Sequence, residues 1–118
     1  PNSWTAEEII RRGYRDYTIT CDSAEPKSVN DYRDYGLPAR PAKKGPGSIE
    51  YSMKWWQGKK IVMDPARTPN SCEEFKKYEY ERDKDGNIVS GYPDKDNHLI
   101  DAARYATESL WERRGSSA

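Results

Sequence analysis

The chain has 118 residues, of which 34% are hydrophobic and 34% are charged, so it favours one small domain with a lean core. Twenty basic residues balance twenty acidic ones, and global charge therefore neither favours nor excludes a nucleic-acid partner. Two cysteines without CxxC spacing and a single histidine lack the usual ligands of a structural zinc site. With no phosphate-binding glycine loop and no apolar run of about 18 residues, neither nucleotide binding nor a membrane span is expected.

Hydrophobic periodicity and turn residues divide the chain into alternating helices and strands. The predicted elements are a helix over 4–12, a strand over 17–21, a helix over 28–35, a strand over 38–42, a helix over 48–57, a strand over 60–64, a helix over 70–78, a hairpin within 78–92 and a helix over 98–113. Thr5, Ser28, Ser48 and Asn70 are the residues expected at the helix starts.

This alternation predicts an α/β fold with a short, mostly parallel sheet flanked by helices and a β-hairpin before the final helix. We expect residues 1–118 to form a single domain, and residues 115–118 to be a disordered tail.

Two aspartates lie at the ends of predicted strands. In open α/β sheets, binding sites gather beyond the carboxyl ends of the strands. Asp22 follows the first predicted strand, and Asp64 ends the third. The alternative is that each aspartate caps the turn after its strand. The proline that follows Asp64 strengthens this alternative there.

The final predicted helix carries the only histidine of the chain. His98 and Asp101 are three residues apart and share a helix face, from which they could meet Asp22. Carboxylates with an imidazole suit Mg²⁺ or Mn²⁺, and two such ions can drive phosphodiester cleavage. The alternative is an exposed helix start, where the helix dipole favours an acidic residue. The apolar stripe predicted for this helix comprises Leu99, Ala103, Ala106 and Leu110.

Two pairs of lysines lie at predicted loops. Lys43 and Lys44 follow the second strand, and Lys59 and Lys60 follow the third helix. Lysines at such positions can bind DNA phosphates. They can equally solubilise the chain and protect the edges of a sheet, so both interpretations stay open.

Three sequence blocks and the hairpin together resemble one known family. The blocks are CDSAEPKS at 21–28, PAKKGPGSI at 41–49 and DKDNHLIDAARY at 94–105, and the hairpin segment is 78–87. In this order and spacing they resemble the C-terminal nuclease domain of the terminase large subunits of tailed phages and prophages. The resemblance implies a ribonuclease-H-like endonuclease that cleaves double-stranded viral DNA with Mg²⁺ or Mn²⁺.

The resemblance also implies roles for individual residues. Asp22 matches the second acidic ligand of the family, Asp101 the last one and His98 a nearby histidine, so all three are expected to be catalytic and to bind metal. Lys43 and Lys44 match a basic loop of the family.

The family's first catalytic aspartate has no counterpart in residues 1–17. The chain therefore resembles a partial nuclease domain that lacks its N-terminal strands, and we expect it to be weakly active or inactive by itself. The resemblance implies that its partners are the terminase ATPase domain, the small terminase subunit and the portal. It also implies that the domain acts in the host cytoplasm and not at a membrane.

Two other functions remain as alternatives. The chain could be a non-catalytic module of the same fold that binds DNA or a packaging partner, or a resolvase-like nuclease. The block at 22–26 and the tyrosine-rich hairpin argue against the resolvase. The sequence leaves open the cleavage specificity, the host, the oligomeric state and whether Asp64 or Glu25 joins the site.

Overall fold

The computed structural model of the chain describes residues 1–78, 82–88 and 91–112. Its elements, in chain order, are α1 (Asn2–Arg11), β1 (Ile19–Cys21), α2 (Pro26–Asp34), β2 (Ala39–Pro41), α3 (Ser48–Gln57), α4 (Pro69–Lys77), α5 (His98–Ala106) and α6 (Glu108–Trp111). The short parallel sheet among helices confirms the predicted α/β class. Of the helices in the described ranges, none is long and apolar enough to cross a membrane.

The described residues fall into two compact units. The first comprises Pro1–Pro46 with Tyr105–Leu110. The second comprises the described residues of Gly47–Arg104 with Trp111 and Glu112.

The first unit is built on two parallel strands. β1 and β2 pair with Ile19 opposite Ala39 and with Cys21 opposite Pro41, so the first two predicted strands are confirmed. α2 packs against β2, and α1 packs against α2. Because parallel strands end on the same side, the residue after β1 lies near the loop after β2. The buried apolar side chains of this unit are Ala6, Val29, Leu37, Ala39 and Ala42.

α1 begins earlier than its predicted cap. It starts three residues before Thr5, whose hydroxyl donates a hydrogen bond to the Pro1 carbonyl at 3.4 Å. The Glu8 carboxylate binds the guanidinium groups of Arg11 and Arg12 and does not complete a capping box. The predicted cap at Thr5 is wrong because the side chains of Thr5 and Glu8 bond to groups one turn away along the helix rather than to each other's backbone N–H.

Prolines set the starts of α2 and α4. Pro26 and Pro69 hold the first positions of these helices, so the predicted caps Ser28 and Asn70 lie inside them. Proline suits a first position because its φ is preset for a helix and its missing N–H would have no partner there. The observed caps are Glu25 and Thr68, so the two predictions are wrong by three and two residues, whereas Ser48 is confirmed as the first residue of α3.

The third predicted strand does not form. Residues 60–64 belong to no strand, and the side chains of Ile61 and Val62 are 43% and 81% exposed. A β-branched run supplies strand propensity, but a strand also needs a neighbouring backbone to complete its ladder. The described part of the chain consequently holds a sheet of two strands rather than three.

Gly47 occupies a left-handed turn before α3. Its φ is +73°, a region that is costly for any residue with a Cβ, although the space around it is open. Gly47→Ala is therefore expected to lower the free energy of unfolding by about 1 kcal/mol. Gly45→Ala is the matched control, since Gly45 has equal space and no positive φ, and it should be neutral or slightly stabilising. Urea denaturation distinguishes the two variants, and equal stability would contradict the prediction.

The hairpin turn forms at the predicted Asp-Gly pair. The Asp83 carboxylate accepts hydrogen bonds from the backbone N–H groups of Asp85 and Asn87, at 2.9 and 3.0 Å. Gly86 has a φ of +83°, and an antiparallel bridge closes the described part of the hairpin. The remaining hairpin residues, 79–81 and 89–90, and the predicted tail over 115–118 lie outside the described residues.

The final helix is interrupted and buries an unexpected face. α5 ends at Ala106 and α6 begins at Glu108, so the prediction of one continuous helix is wrong. Leu99 and Leu110 of the predicted apolar stripe are 37% and 67% exposed. Buried charged groups are tolerated when they are paired, which allows polar side chains to take the place of the stripe. The buried residues of α5 and α6 are Ile100, Arg104, Glu108 and Trp111.

Candidate metal and DNA-binding site

Asp22 lies directly after β1, at the carboxyl end of the sheet. Its Oδ1 accepts hydrogen bonds from the Lys44 ammonium at 2.5 Å and from the Ala24 backbone N–H at 3.0 Å. The Lys44 ammonium and, to a smaller extent, the Ala24 N–H lower the pKa of Asp22 because both stabilise its charged form. Asp22 is therefore an ionised carboxylate at neutral pH. It caps the turn, as the alternative predicts, and contacts a cation as well.

Lys44 reaches Asp22 from the loop that follows β2. The side chains of Lys44 and Asp22 are 44% and 46% exposed, so water has access to the pair. The same ammonium lies 5.7 Å from the centroid of the Tyr105 ring, within cation–π range. The hydrogen bond to Asp22 raises the pKa of Lys44, which keeps the ammonium charged. The sequence predicts Lys44 as a DNA contact but does not predict this carboxylate partner.

A buried glutamate from late in the sequence fixes that loop. Glu108 is 1% exposed, and its two carboxylate oxygens accept hydrogen bonds from the Arg40 guanidinium at 3.2 Å and the Lys43 backbone N–H at 2.8 Å. The loop is held again where the Ala42 N–H donates to the Cys21 carbonyl at 2.7 Å. Glu108 is not among the predicted site residues, because a glutamate on a helix is normally exposed.

In the second unit, Asp101 is paired with a buried arginine. Arg104 is 5% exposed; its Nη1 donates to Asp101 Oδ1 at 3.1 Å, and its Nε donates to Ser52 Oγ at 2.8 Å. Ser52 is 0% exposed and donates its own hydroxyl to the Ile49 carbonyl at 3.0 Å. The Asp101 side chain is 32% exposed. It is thus oriented by a fixed cation and still reaches solvent.

The start of α5 is capped by a carboxylate from α4. Glu74 Oε2 accepts a hydrogen bond from the Ile100 backbone N–H at 2.6 Å. His98 is the first residue of α5, and its side chain is exposed. His98 and Asp101 lie one turn apart on the same helix, as predicted. The contact from Glu74 therefore fixes the turn that carries both residues.

The two missed residues, Arg104 and Glu108, share a sequence signal. With Ile100 they recur at four-residue intervals, a spacing that would place them on one face of an unbroken helix. Burial of that face requires partners for its polar groups, and two of these, Ser52 and Arg40, are 52 and 68 residues away in the sequence. The spacing alone could have indicated the face but not its burial.

The four lysines predicted to contact DNA are exposed. Lys43 and Lys44 belong to the first unit, and Lys59 and Lys60 belong to the second. The Lys59 ammonium lies 4.7 Å from the centroid of the Trp55 ring, a cation–π contact. Exposed positive charge is required for a phosphate contact but is not specific to it, so DNA binding by these residues stays a prediction.

Asp64 and Glu25, the two open candidates, have local contacts in turns. Asp64 Oδ1 accepts a hydrogen bond from the Ala66 backbone N–H at 2.9 Å, which confirms the turn interpretation of this residue. Glu25 precedes α2 and accepts a hydrogen bond from the Ser28 hydroxyl at 3.3 Å. These contacts account for both acidic residues locally.

The three predicted ligands are distributed between the two units. Asp22 lies in the first unit, and His98 and Asp101 lie in the second. Within either unit, the described residues include no group of three His, Cys, Asp or Glu side chains that could hold one metal ion. The convergence of Asp22 with His98 and Asp101 stays a prediction.

A family model and two phage proteins match this chain. The model, described as terminase RNAseH like domain, matches residues 2–109. The large terminase subunit of Bacillus phage SPP1 is 40% identical over 116 residues, which are 96% of this chain and 28% of that protein. The PBSX phage terminase large subunit of Bacillus subtilis strain 168 is 34% identical over 105 residues, which are 88% of this chain and 24% of that protein. The chain therefore spans about a quarter of the length of these relatives.

A solved structure is similar as well. It is the crystal structure of the g2p (large terminase) nuclease domain from bacteriophage SPP1 with bound Mn. It is 39% identical in sequence and superimposes with a TM-score of 0.84, over 93% of this chain and 64% of that one. These matches confirm the ribonuclease-H-like fold that the sequence blocks imply.

Proposed function

This chain belongs to the terminase RNase H-like domain family, and on that basis we propose that it is the metal-dependent endonuclease domain of a phage DNA-packaging terminase large subunit. The similar SPP1 nuclease domain, which has bound Mn and matches 93% of this chain, carries the proposal. The proposed reaction is hydrolysis of phosphodiester bonds in double-stranded viral DNA, with Mg²⁺ or Mn²⁺ as cofactor.

Asp22, Asp101 and His98 are the proposed catalytic and metal-binding residues. Their donor set fits Mg²⁺ or Mn²⁺, because an ionised carboxylate, a second carboxylate that reaches solvent and an exposed imidazole supply mainly oxygen ligands. When bound, two such ions activate a water molecule and stabilise the leaving oxygen. Arg104 supports this role by orienting Asp101 before any ligand arrives.

Lys43, Lys44, Lys59 and Lys60 are the proposed contacts to DNA. Their exposed ammonium groups can neutralise phosphates without reading the base sequence, which suits an enzyme that holds the backbone of a duplex. Lysine binds phosphate as a point charge on a flexible stem, so these contacts tolerate small shifts of the DNA.

We expect the 118-residue chain alone to cleave DNA weakly or not at all. Two ions about 3.5–4 Å apart need several shared carboxylates, and the proposed site supplies only Asp22 and Asp101. The family resemblance implies a further catalytic aspartate, and we find no match for it in residues 1–17. Robust Mn²⁺-dependent cutting of plasmid by this chain, lost in Asp22→Asn, would contradict the expectation.

The similar phage proteins are large subunits about three and a half times the length of this chain. We propose that the domain acts in the host cytoplasm as part of such a subunit. Its partners there would be the terminase ATPase domain, the small terminase subunit and the portal.

The metal site is tested by titrating the ¹⁵N-labelled chain with Mn²⁺, which broadens the NMR signals of nearby nuclei. We expect broadening at the Ala24 and Asp101 amides, and weaker broadening at both amides in Asp22→Asn and in Asp101→Asn. Asparagine keeps the shape and the hydrogen-bond acceptor but removes the charge. Asp64→Asn is the matched control, because Asp64, like Asp22, accepts a turn hydrogen bond from the backbone N–H two residues later. It should leave the titration unchanged.

Two results would overturn the proposed site. Broadening at Ala24 that is unchanged in Asp101→Asn would show that the two carboxylates do not share metal. No broadening in any variant at millimolar Mn²⁺, with DNA binding retained, would favour the non-catalytic binding module.

A further inference from the structure

The two proposed acidic ligands, Asp101 and Asp22, are paired with cations that differ in burial. Asp101 is paired with Arg104, which is 5% exposed and also bound to Ser52. Asp22 is paired with Lys44, and both of these side chains are close to half exposed. The first cation is a fixed part of the interior, whereas the second lies where solvent and ions can reach it.

The position of Lys44 is determined by its loop. The Lys43 backbone N–H is bound to the buried Glu108 carboxylate at 2.8 Å, and the Ala42 N–H is bound to the end of β1 at 2.7 Å. These two contacts fix the backbone just before Lys44, whose ammonium is carried on a flexible four-carbon stem. The loop thus places the Lys44 ammonium at hydrogen-bond distance from Asp22 Oδ1.

We propose that Lys44 is an exchangeable counter-ion of Asp22. Its ammonium neutralises the carboxylate while no divalent cation is bound, and it leaves Asp22 when Mg²⁺ or Mn²⁺ binds there. The released ammonium is then available to a phosphate of the DNA. This inference rests on the proposed metal role of Asp22 and adds that metal and Lys44 compete for the same oxygen.

Physical chemistry favours such an exchange. Ion pairs that solvent reaches contribute little free energy, so a divalent cation can displace the ammonium at small cost. The Tyr105 ring, 5.7 Å from Lys44 Nζ, offers the ammonium a second contact besides Asp22. Arg104 could not exchange in this way, because its departure would leave the buried Ser52 oxygen without the N–H group that donates to it.

The test compares Mn²⁺ titrations of the chain and of Lys44→Met, followed at the Ala24 amide, which donates to Asp22. We expect the Mn²⁺ concentration at the midpoint to fall by about two- to fivefold in Lys44→Met, since an exposed ion pair is removed from the competition. Lys43→Met is the matched control: it removes the same charge from the same loop, and it should move the midpoint less than Lys44→Met does. Equal midpoints in Lys44→Met and the unmodified chain would overturn the proposal.

A second measurement needs no variant. In a Mg²⁺ titration of the unmodified chain, the Asp22 carboxyl ¹³C signal and the Lys44 side-chain ¹⁵N signal are expected to shift with one midpoint. A shift of Asp22 without a shift of Lys44 would overturn the exchange and leave the metal site intact. If neither signal shifts, and Mn²⁺ broadens Ala24 in no variant, the metal site itself fails and the exchange fails with it.

Discussion

Replacing Arg104 with methionine is expected to lower the free energy of unfolding by about 3 kcal/mol. The guanidinium is buried and donates to Ser52 and Asp101, so the variant leaves the buried Ser52 oxygen and a partly buried carboxylate without this donor. Removing one member of a buried pair is costly because the remaining group stays desolvated. Water reaches the Asp101 side chain, which is 32% exposed. The expected loss of stability is therefore at the lower end of the range found when a buried ion pair is broken. Urea denaturation measures the change.

Arg11→Met is the matched control for this prediction. Arg11 also pairs with a carboxylate three residues away on a helix, that of Glu8, but its side chain is 66% exposed. We expect little or no loss of stability in this variant, because exposed pairs contribute little. Ser52→Ala removes only one contact of Arg104 and should fall between the two. Similar losses for the variants of Arg104 and Arg11 would refute the role assigned to burial.

Replacing Glu108 with alanine is expected to lower the free energy of unfolding by about 2 kcal/mol and to release the loop after β2. The change removes both acceptors of a fully buried carboxylate and leaves the Lys43 N–H without this bond. Arg40 is 34% exposed and can rehydrate, which limits the loss. Urea denaturation measures the stability, and hydrogen exchange at the Lys43 amide reports on the loop.

Glu108→Gln separates the hydrogen bond from the charge. Its amide oxygen can still accept from the Lys43 N–H, so the exchange protection of that amide should be largely retained. Its amide nitrogen would face Arg40, so part of the stability should still be lost. Glu7→Ala removes an exposed helix glutamate and should change neither quantity appreciably. Unchanged exchange at Lys43 in Glu108→Ala would show that the carboxylate does not hold the loop.

Local sequence was sufficient for part of the fold. α3 begins at Ser48 and ends at Gln57, as predicted, because a glycine lies on each side of an amphipathic run. The turn at Asp83 also follows from local chemistry, since its carboxylate binds N–H groups two and four residues later. Helix starts were less predictable, because a cap and a nearby proline compete and the stronger preference of the proline decides.

Strand formation could not be settled locally. The segment around Val62 has strand propensity, yet it belongs to no strand, because the ladder that completes a strand is supplied by another part of the chain. The sequences of β1 and β2 do not favour a strand more strongly than this segment does, but β1 and β2 pair with each other.

The sequence by itself determined the family, the fold class and the candidate ligands Asp22, His98 and Asp101, because these depend on short blocks whose residues are neighbours along the chain. Only the tertiary structure decided which cation accompanies each carboxylate. Lys44 lies 22 residues from Asp22, and Arg104 is held in the interior by a serine 52 residues away. Charged groups are buried only where such distant partners compensate their lost hydration, and that compensation exists only once the chain has folded.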